Sequence, residues 1–242
     1  MVFKAYDIYE EMISSHRVYG PSMLDDDCSG PVRSNYNHTY PEKILEGLRN
    51  EVIRGAVRRL CPMCGQREAS TLDHFLPKEI FPEYSIFPLN LIPACPECNT
   101  QKRSYVGDHQ TRLIHAYLDD LSNCPSVLYS DIEVFDDGPV ITFSPNEHLP
   151  DSIYTRVKKQ FEVLKLSACY SWASVTELIQ RSDTFEADYK DGGAELVAAE
   201  AREHSEYLSR KFGRNYWMAS LYEGVSRSRD FCDGGWAHFD AT

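Results

Sequence analysis

The stretch Cys61–Arg103 reads CPMCGQREASTLDHFLPKEIFPEYSIFPLNLIPACPECNTQKR, and it decides the fold. It contains two Cys-x-x-Cys pairs with 30 residues between them, namely Cys61/Cys64 and Cys95/Cys98. It also contains four polar residues at set distances from the pairs, which are Asp73, His74, Asn90 and Asn99. The cysteines have the spacing of metal ligands, and the residues they enclose have the side-chain types of a chemical site.

The two cysteine pairs predict a structural zinc site. Zinc prefers four tetrahedral thiolate or imidazole ligands, and one tight turn of the Cys-x-x-Cys type offers two sulfurs. Pro62 and Gly65 suit the first turn, and Pro96 can begin a helix that carries the second pair on one face. Four cysteines close the site, so this zinc would not be the catalytic metal. Two redox or disulfide pairs are the alternative, which a reducing compartment disfavours.

Composition indicates a globular chain in the cytoplasm. The chain has 242 residues, of which 42% are hydrophobic and 26% charged. It has no run of about 18 apolar residues, so no membrane span is expected. Its start, MVFKAYDIYEEM, lacks the basic end and apolar centre of a signal peptide. We therefore expect reduced thiols, and buried thiols at the four cysteines outside the pairs, Cys28, Cys124, Cys169 and Cys232.

The charge is strongly acidic and unevenly distributed. The net charge is −12, and residues 116–150 hold seven acids and neither lysine nor arginine. Residues 41–60, in contrast, hold five basic residues against three acids. Because affinity for phosphate is largely electrostatic, an acidic protein is a poor unaided binder of nucleic acid. Any role on nucleic acid requires a local basic groove or a partner that delivers the substrate.

Hydrophobic periodicity and breaker residues predict the elements. Helices are expected at 3–17, 42–60, from Pro96 to about Ser104, 110–122, 151–168, 171–182, 193–212 and 215–222. Residues 20–41 are predicted to be loop, 70–75 extended, and 130–144 a hairpin. This pattern divides the chain into an N-terminal helix and loop (1–40), a core with the zinc site (41–125), and a hairpin with a mainly helical region (126–242).

Together these motifs resemble the HNH endonucleases of the ββα-metal fold. In that family an Asp-His closes the first strand, an Asn lies in the loop or second strand, and a His or Asn lies on the helix. Asp73-His74, Asn90 in PLNLIP and Asn99 in CPECNTQK match these three places, in the variant with Asn at the third. The resemblance implies an α+β fold with a zinc-stapled ββα-metal core, an N-terminal helix and a mainly helical C-terminal region.

The resemblance also implies a role for each residue. His74 would be the general base, while Asp73 and Asn99 would hold a catalytic Mg²⁺ or Mn²⁺. Asn90 would hold the hairpin loop and orient His74. Neighbouring strand residues point to opposite faces, so Asp73 and His74 share a site only where the strand bends or ends. Three cations could hold substrate phosphate or remain solvated surface residues: Lys78, Lys102 and Arg103.

A second resemblance is less specific. The strings LDHFLPK, NLIPACPECN and RLIHAYLD (112–119) are similar to those of an HNH subgroup in anti-phage defence. The PtuB nuclease subunit of Septu-type and retron-associated systems, which works with an ATPase subunit, looks similar. This resemblance implies an ATPase partner that docks on the helical region, and it would account for the acidic charge. His115 is interpreted as a structural histidine.

We therefore predict a metal-dependent endonuclease acting on DNA or RNA. The alternative is a non-catalytic zinc module that binds nucleic acid or protein, in which Asp73, His74 and Asn99 would be scattered. A third hypothesis keeps the active site but makes the protein a subunit that only its partner activates.

Overall fold

The structure is a computed structural model that describes residues 1–14 and 19–241. The chain is α+β and divides into two compact units. The first unit comprises residues 1–123 and 155–164, and the second comprises residues 124–154 and those from 165 onward. The whole stretch from Cys61 to Arg103 therefore lies within the first unit. Within the described ranges, no helix is long and apolar enough to cross a bilayer.

The first unit contains a short ββα motif. Strands β1 (Thr71–His74) and β2 (Leu91–Ala94) pair antiparallel, with Thr71 opposite Ala94 and His74 opposite Leu91. Three helices precede the strands, namely α1 (Val2–Ser14), α2 (Asp26–Ser34) and α3 (Glu46–Arg54), and helix α4 follows β2 directly. It runs from Pro96 to Lys102, and helix α5 (Asp151–Leu164) adds residues 155–164 to this unit.

An apolar cluster holds the two strands against the preceding helices. Leu72 of β1 and Leu91 of β2 are buried with Tyr36, which lies in a 3₁₀ turn after α2. Partly buried side chains of α3 pack on this cluster, namely Leu48, Val52 and Ile53. Their three- and four-residue spacing gives α3 an apolar face, so burial against the strands stabilises the helix.

Helix α3 is shorter than the predicted 42–60. Ile44 and Val57, which are apolar residues near the two ends of the predicted helix, are 88% and 76% exposed. After Gly55 the chain turns, and Arg58 and Arg59 both adopt positive φ angles, of 54° and 62°. The turn delivers Leu60 to a bridge with Glu68 at the start of the cysteine loop. The requirements of that loop override the local helical pattern.

Two other predictions were wrong. The predicted loop at 20–41 contains α2, because Asp25 caps it by accepting from the backbone N–H of Cys28 at 2.8 Å. The acids Asp26 and Asp27 lie in its first turn, where the helix dipole favours them. The predicted helix at 110–122 is a series of turns. The predicted end of the first helix at 17 lies outside the described residues, and α1 is described to Ser14.

The second unit is a hairpin packed on helices. Strands β3 (Leu128–Phe135) and β4 (Gly138–Pro145) bury alternate residues and confirm the predicted hairpin. The helices are α6 (Leu166–Gln180), α7 (Ser182–Phe212), α8 (Trp217–Arg227) and α9 (Arg229–Cys232). Helix α8 crosses β3 so closely that a Cβ at Gly224 would lie 2.2 Å from Oγ of Ser130, which requires glycine there. Helix α7 is broken at Gly193, where φ is 67°.

Candidate functional site

The four paired cysteines form one buried cluster. Their sulfur atoms all lie within 4.8 Å of one another, and each residue is at most 3% exposed: Cys61, Cys64, Cys95 and Cys98. A tetrahedral zinc with Zn–S bonds of about 2.3 Å needs sulfurs roughly 3.8 Å apart, so the cluster can hold such an ion with little movement. None of the eight cysteines, all in the described part of the chain, forms a disulfide.

Local backbone geometry explains why the sulfurs converge. The backbone N–H of Gly65 donates to the carbonyl of Cys61 at 2.7 Å, and Gly65 has a φ of +62°, which favours glycine. Cys95 caps α4, and its sulfur accepts from the backbone N–H of Cys98 at 3.3 Å. The Cys61 thiol and this N–H lower the pKa of Cys95, which favours the thiolate form that binds metal.

His74 ends β1 and is held through one ring nitrogen. Its Nε2 donates to the carbonyl oxygen of Ser85 at 2.9 Å, because a carbonyl can only accept. The proton therefore sits on Nε2, and Nδ1 carries the lone pair. Burial lowers the pKa of His74 to about 4, and the Ser85 carbonyl opposes that shift. The ring is consequently neutral at pH 7. Tyr36 packs edge to face against it, with ring centroids 4.5 Å apart.

Asp73 is buried with one oxygen unsatisfied. Its Oδ1 accepts from the backbone N–H of His74 at 2.7 Å. Its Oδ2 accepts no hydrogen bond and lies 3.3 Å from Nζ of Lys102, which donates to the His74 carbonyl at 2.5 Å. Burial raises the pKa of Asp73 and lowers that of Lys102, while their attraction opposes both shifts. A buried carboxylate oxygen that faces an ammonium group and accepts no hydrogen bond has the chemistry of a cation ligand.

Asn99 presents an oxygen from the middle of α4. Its Nδ2 donates to Oγ1 of Thr71 and to the carbonyl of Leu72, both at 3.1 Å. These bonds fix the amide and leave Oδ1 as the atom available to a ligand. Together with Asp73, Asn99 offers the hard oxygen donors that Mg²⁺ or Mn²⁺ prefers.

These residues line one open cleft with a volume of about 410 Å³. Its lining residues include Asp73, His74, Asn99, Lys78 and Arg103. Strand β1 ends at His74, so the neighbouring Asp73 and His74 can both line it.

The remaining predicted residues, Lys102 and Asn90, do not line the cleft. Lys102 is 2% exposed with its ammonium engaged by Asp73 and the His74 carbonyl, so the predicted phosphate contact does not fit this placement.

Asn90 lies behind the cleft and holds the loop of residues 75–90. Its Oδ1 accepts from the backbone N–H of Leu76 at 2.8 Å, and its Nδ2 donates to the carbonyls of Leu76 and Tyr84 at 3.0 and 3.1 Å. The Tyr9 hydroxyl of α1 donates to the same Oδ1 at 2.8 Å. Asn90 forms no hydrogen bond with His74. It fixes the loop whose Ser85 carbonyl orients the ring.

Hydrogen bonds and ion pairs of the segment after α4 stabilise the surroundings of Tyr9 and Asn90. His115 is fully buried, and its Nδ1 accepts from the backbone N–H of Tyr117 at 3.2 Å. Its Nε2 therefore carries the proton and donates to the Tyr9 oxygen at 3.3 Å. Asp119 accepts a bidentate pair from Arg112 at 2.7 and 2.9 Å and a further bond from Arg156. Two of these charged residues, Arg112 and Asp119, lie in the segment that was predicted to be a helix at 110–122, and Arg156 lies on α5.

Sequence reasoning missed three positioning groups: the Ser85 carbonyl, the Tyr36 ring and the Tyr9 hydroxyl. Every residue has a backbone carbonyl, so the sequence does not show which one accepts a bond from His74. Tyr36 lay in a segment predicted to be loop, and Tyr9 occupied one position of an ordinary amphipathic helix.

The comparisons agree with this geometry. Residues 61–104 match the family model described as HNH endonuclease, which supports the HNH class for the ββα core. The chain is also 24% identical over 198 residues to Protein ea31 of Escherichia phage lambda. That alignment covers 72% of this chain and 64% of the phage protein, so the chain spans less than two thirds of that relative. No solved structure matches the chain.

Proposed function

We propose that the protein hydrolyses phosphodiester bonds in nucleic acid with the help of a divalent cation. The observation that carries this proposal is the shared cleft of Asp73, His74 and Asn99 within the segment that matches the HNH model. A non-catalytic zinc module would have no reason to bring these three side chains together.

His74 acts as the general base through Nδ1. The Ser85 carbonyl holds the proton on Nε2, so the lone pair of Nδ1 is free to take a proton from the attacking water. Because burial keeps the ring neutral at pH 7, almost all molecules carry the base in its reactive form. Tyr36 limits rotation of the ring.

Asp73 and Asn99 would hold the cation. When bound, a divalent ion polarises the scissile phosphate and stabilises the leaving oxygen. Oδ2 of Asp73 supplies a carboxylate oxygen, and Oδ1 of Asn99 supplies an amide oxygen. One anion and one amide would make a weak set of ligands, so the ion would also need oxygens from the substrate phosphate.

Arg103 and Lys78 hold the phosphates that flank the scissile bond. Arg103 lines the cleft, and its guanidinium forms no ion pair within the described residues. Lys78 also lines the cleft, where it is paired with Glu79 and lies 5.5 Å from the centroid of the Tyr36 ring. Such contacts position the backbone and carry no sequence preference.

The test is cleavage of labelled DNA and RNA by zinc-loaded protein with Mg²⁺ or Mn²⁺. We expect His74→Ala to lower the rate by about 10²- to 10⁴-fold, the usual contribution of a general base. The matched control is His38→Ala, because His38 is exposed and does not line the cleft. A His74→Ala protein that keeps its zinc and full activity would contradict the proposal.

We further propose that the nuclease works with a protein partner, an ATPase subunit, in an anti-phage defence complex. The sequence resemblance and the net charge of −12 support a partner that delivers the substrate. The phage origin of the lambda relative favours neither defence nor a phage role. Cleavage should rise on adding the ATPase encoded beside the gene, and no co-purifying ATPase would count against this role.

A further inference from the structure

An exposed tyrosine lines the cleft beside the polar residues. Tyr40 is 46% exposed, and its ring meets that of Tyr36 edge to face, with centroids 5.7 Å apart and an angle of 70°. Tyr36 itself is 7% exposed, and its hydroxyl donates to the carbonyl of Leu72 at 3.2 Å. The Tyr40 hydroxyl makes no hydrogen bond to any described residue, so packing of the interior does not account for this ring.

The backbone that carries Tyr40 is fixed. Its carbonyl accepts from the backbone N–H of Lys43 at 3.1 Å, and the next turn is closed by a bond of 2.8 Å from Leu45 to His38. The ring is therefore presented on an ordered turn, with its inner edge against Tyr36. A ligand that stacks on it would lose little entropy of ordering, which is the advantage of a preorganised contact.

Electrostatics alone give the cleft little affinity for nucleic acid. Its lining includes two cations, Lys78 and Arg103, and Lys78 is already paired with Glu79. Proteins that depend on phosphate contacts use many more, and their affinity falls steeply with salt. With a net charge of −12, the protein needs a contribution to binding that does not come from charge.

We propose that Tyr40 stacks on an unpaired base next to the scissile phosphate, so that the preferred substrate is a single-stranded or locally unpaired segment of DNA or RNA. This inference rests on the proposed function for the position of the scissile bond. Every base has an aromatic face, and stacking on a protein ring is independent of sequence. In a duplex both faces of a base are covered by its neighbours, so only an unpaired or flipped base can reach the ring.

The test measures binding separately from cleavage. Fluorescence anisotropy would be recorded with full-length, zinc-loaded protein and labelled 20-nucleotide single strands of DNA and RNA, and with the matching duplexes, without magnesium or manganese. The variants are Tyr40→Ala and Tyr40→Phe, which retains the ring. Ile44→Ala is the matched control, because Ile44 is a nearby surface residue that is 88% exposed and does not line the cleft.

We expect single strands to bind more tightly than duplexes. Tyr40→Ala should weaken single-strand binding by about 5- to 100-fold, the range of one stacked base, while Tyr40→Phe and Ile44→Ala stay within about twofold. The dependence on salt should not change, because the lost contact is uncharged. An oligonucleotide with 5-iodouracil should photo-crosslink to Tyr40, a result that a merely structural residue would not give.

Three outcomes would overturn the inference: duplexes bound as tightly as single strands, Tyr40→Ala binding like the wild type, or no measurable binding of any oligonucleotide. Cleavage decides the proposed function independently. If the Tyr40→Ala variant cleaved nucleic acid with Mg²⁺ as fast as the wild type, only the stacking proposal would be refuted. If single strands bound through Tyr40 but no nucleic acid were cleaved, only the proposed hydrolase activity would be refuted.

Discussion

Nε2 of His74 lies 2.9 Å from the carbonyl oxygen of Ser85, across the loop that joins the two strands of the core. This bond sets the tautomer of the ring and the direction in which Nδ1 points. The orientation of the His74 ring therefore depends on the loop of residues 75–90, which in turn is held by Asn90 and by the Tyr9 hydroxyl. The central residues of the site are thus positioned partly from α1, far away in sequence.

Removing the Tyr9 hydroxyl should slow the reaction without weakening substrate binding. In Tyr9→Phe, Asn90 Oδ1 keeps only its bond from Leu76, and His115 loses its acceptor. We expect the less firmly held ring to raise the activation barrier by about 1 kcal/mol, which corresponds to roughly a fivefold fall in kcat, with KM nearly unchanged. Steady-state kinetics on zinc-loaded protein provide the measurement.

Tyr6→Phe is the matched control for that variant. Tyr6 belongs to the same helix and stacks on Phe87 with ring centroids 4.1 Å apart, but its hydroxyl forms no bond to Asn90. If Tyr9→Phe lowered only thermal stability and left kcat at the level of Tyr6→Phe, the positioning role would be wrong.

The cysteine cluster should bind one zinc ion per chain. Cys98→Ser removes one of four ligands, and we expect the zinc content by mass spectrometry to fall and the first unit to unfold. Zinc binding in small zinc-dependent domains contributes on the order of 10 kcal/mol at pH 7, a value comparable with the whole stability of a domain.

Cys28→Ser serves as the control for the zinc measurement, because Cys28 lies outside the cluster and, contrary to the predicted burial, is exposed. It should keep both the zinc and the thermal midpoint of the wild type. Wild-type protein that is purified without zinc, folds normally and takes up none on addition would show that the cluster is not a zinc site.

Burial of His115 should make the first unit less stable in mild acid. Desolvation lowers the pKa of this imidazole from its usual 6.5 to about 4, so the unfolded chain binds the proton more readily than the folded one. The stabilising contribution is fully present above pH 6.5 and disappears as the pH falls from 6.5 to about 4. Its size is roughly 3 kcal/mol, and urea unfolding at several pH values would measure it.

Other groups also titrate in this range, so the difference between variants isolates the effect. His115→Gln keeps a donor near Tyr9 but cannot titrate, and its unfolding free energy should depend less on pH between 6.5 and 4. The control His38→Gln alters an exposed histidine and should follow the wild-type curve. Identical slopes for His115→Gln and the wild type would disprove the assignment.

The sequence predicted those parts of the fold that short local patterns determine. The extended segment at 70–75 is β1, the hairpin at 130–144 is β3 and β4, and the helix from Pro96 is α4. Each depends on neighbours in sequence: strand alternation, a turn, or a proline at the first helical position. The pairing of distant cysteines was also predictable, because zinc chemistry restricts the ligands so strongly.

The predictions from sequence patterns were wrong in segments whose structure depends on contacts with distant residues. Residues 55–60 leave the helical pattern because the cysteine loop needs Leu60 opposite Glu68. Residues 110–122 do not form the predicted helix, because Asp119 forms ion pairs with Arg112 and Arg156. Lysine is usually a surface residue, yet Lys102 is buried beside Asp73. Lys102 and Asp73 are 29 residues apart, and Arg156 and Asp119 are 37 apart, so local periodicity could not predict these contacts.

The central claim is that one divalent cation binds between Asp73 and Asn99 and faces Nδ1 of His74. Anomalous diffraction from crystals soaked in Mn²⁺ tests it most directly, with zinc distinguished by its own absorption edge. We expect a manganese peak about 2.1 Å from an oxygen of each residue, with Nδ1 of His74 directed toward a water of that ion. A soaked crystal with no manganese at this place, or with His74 turned away from it, would contradict the account.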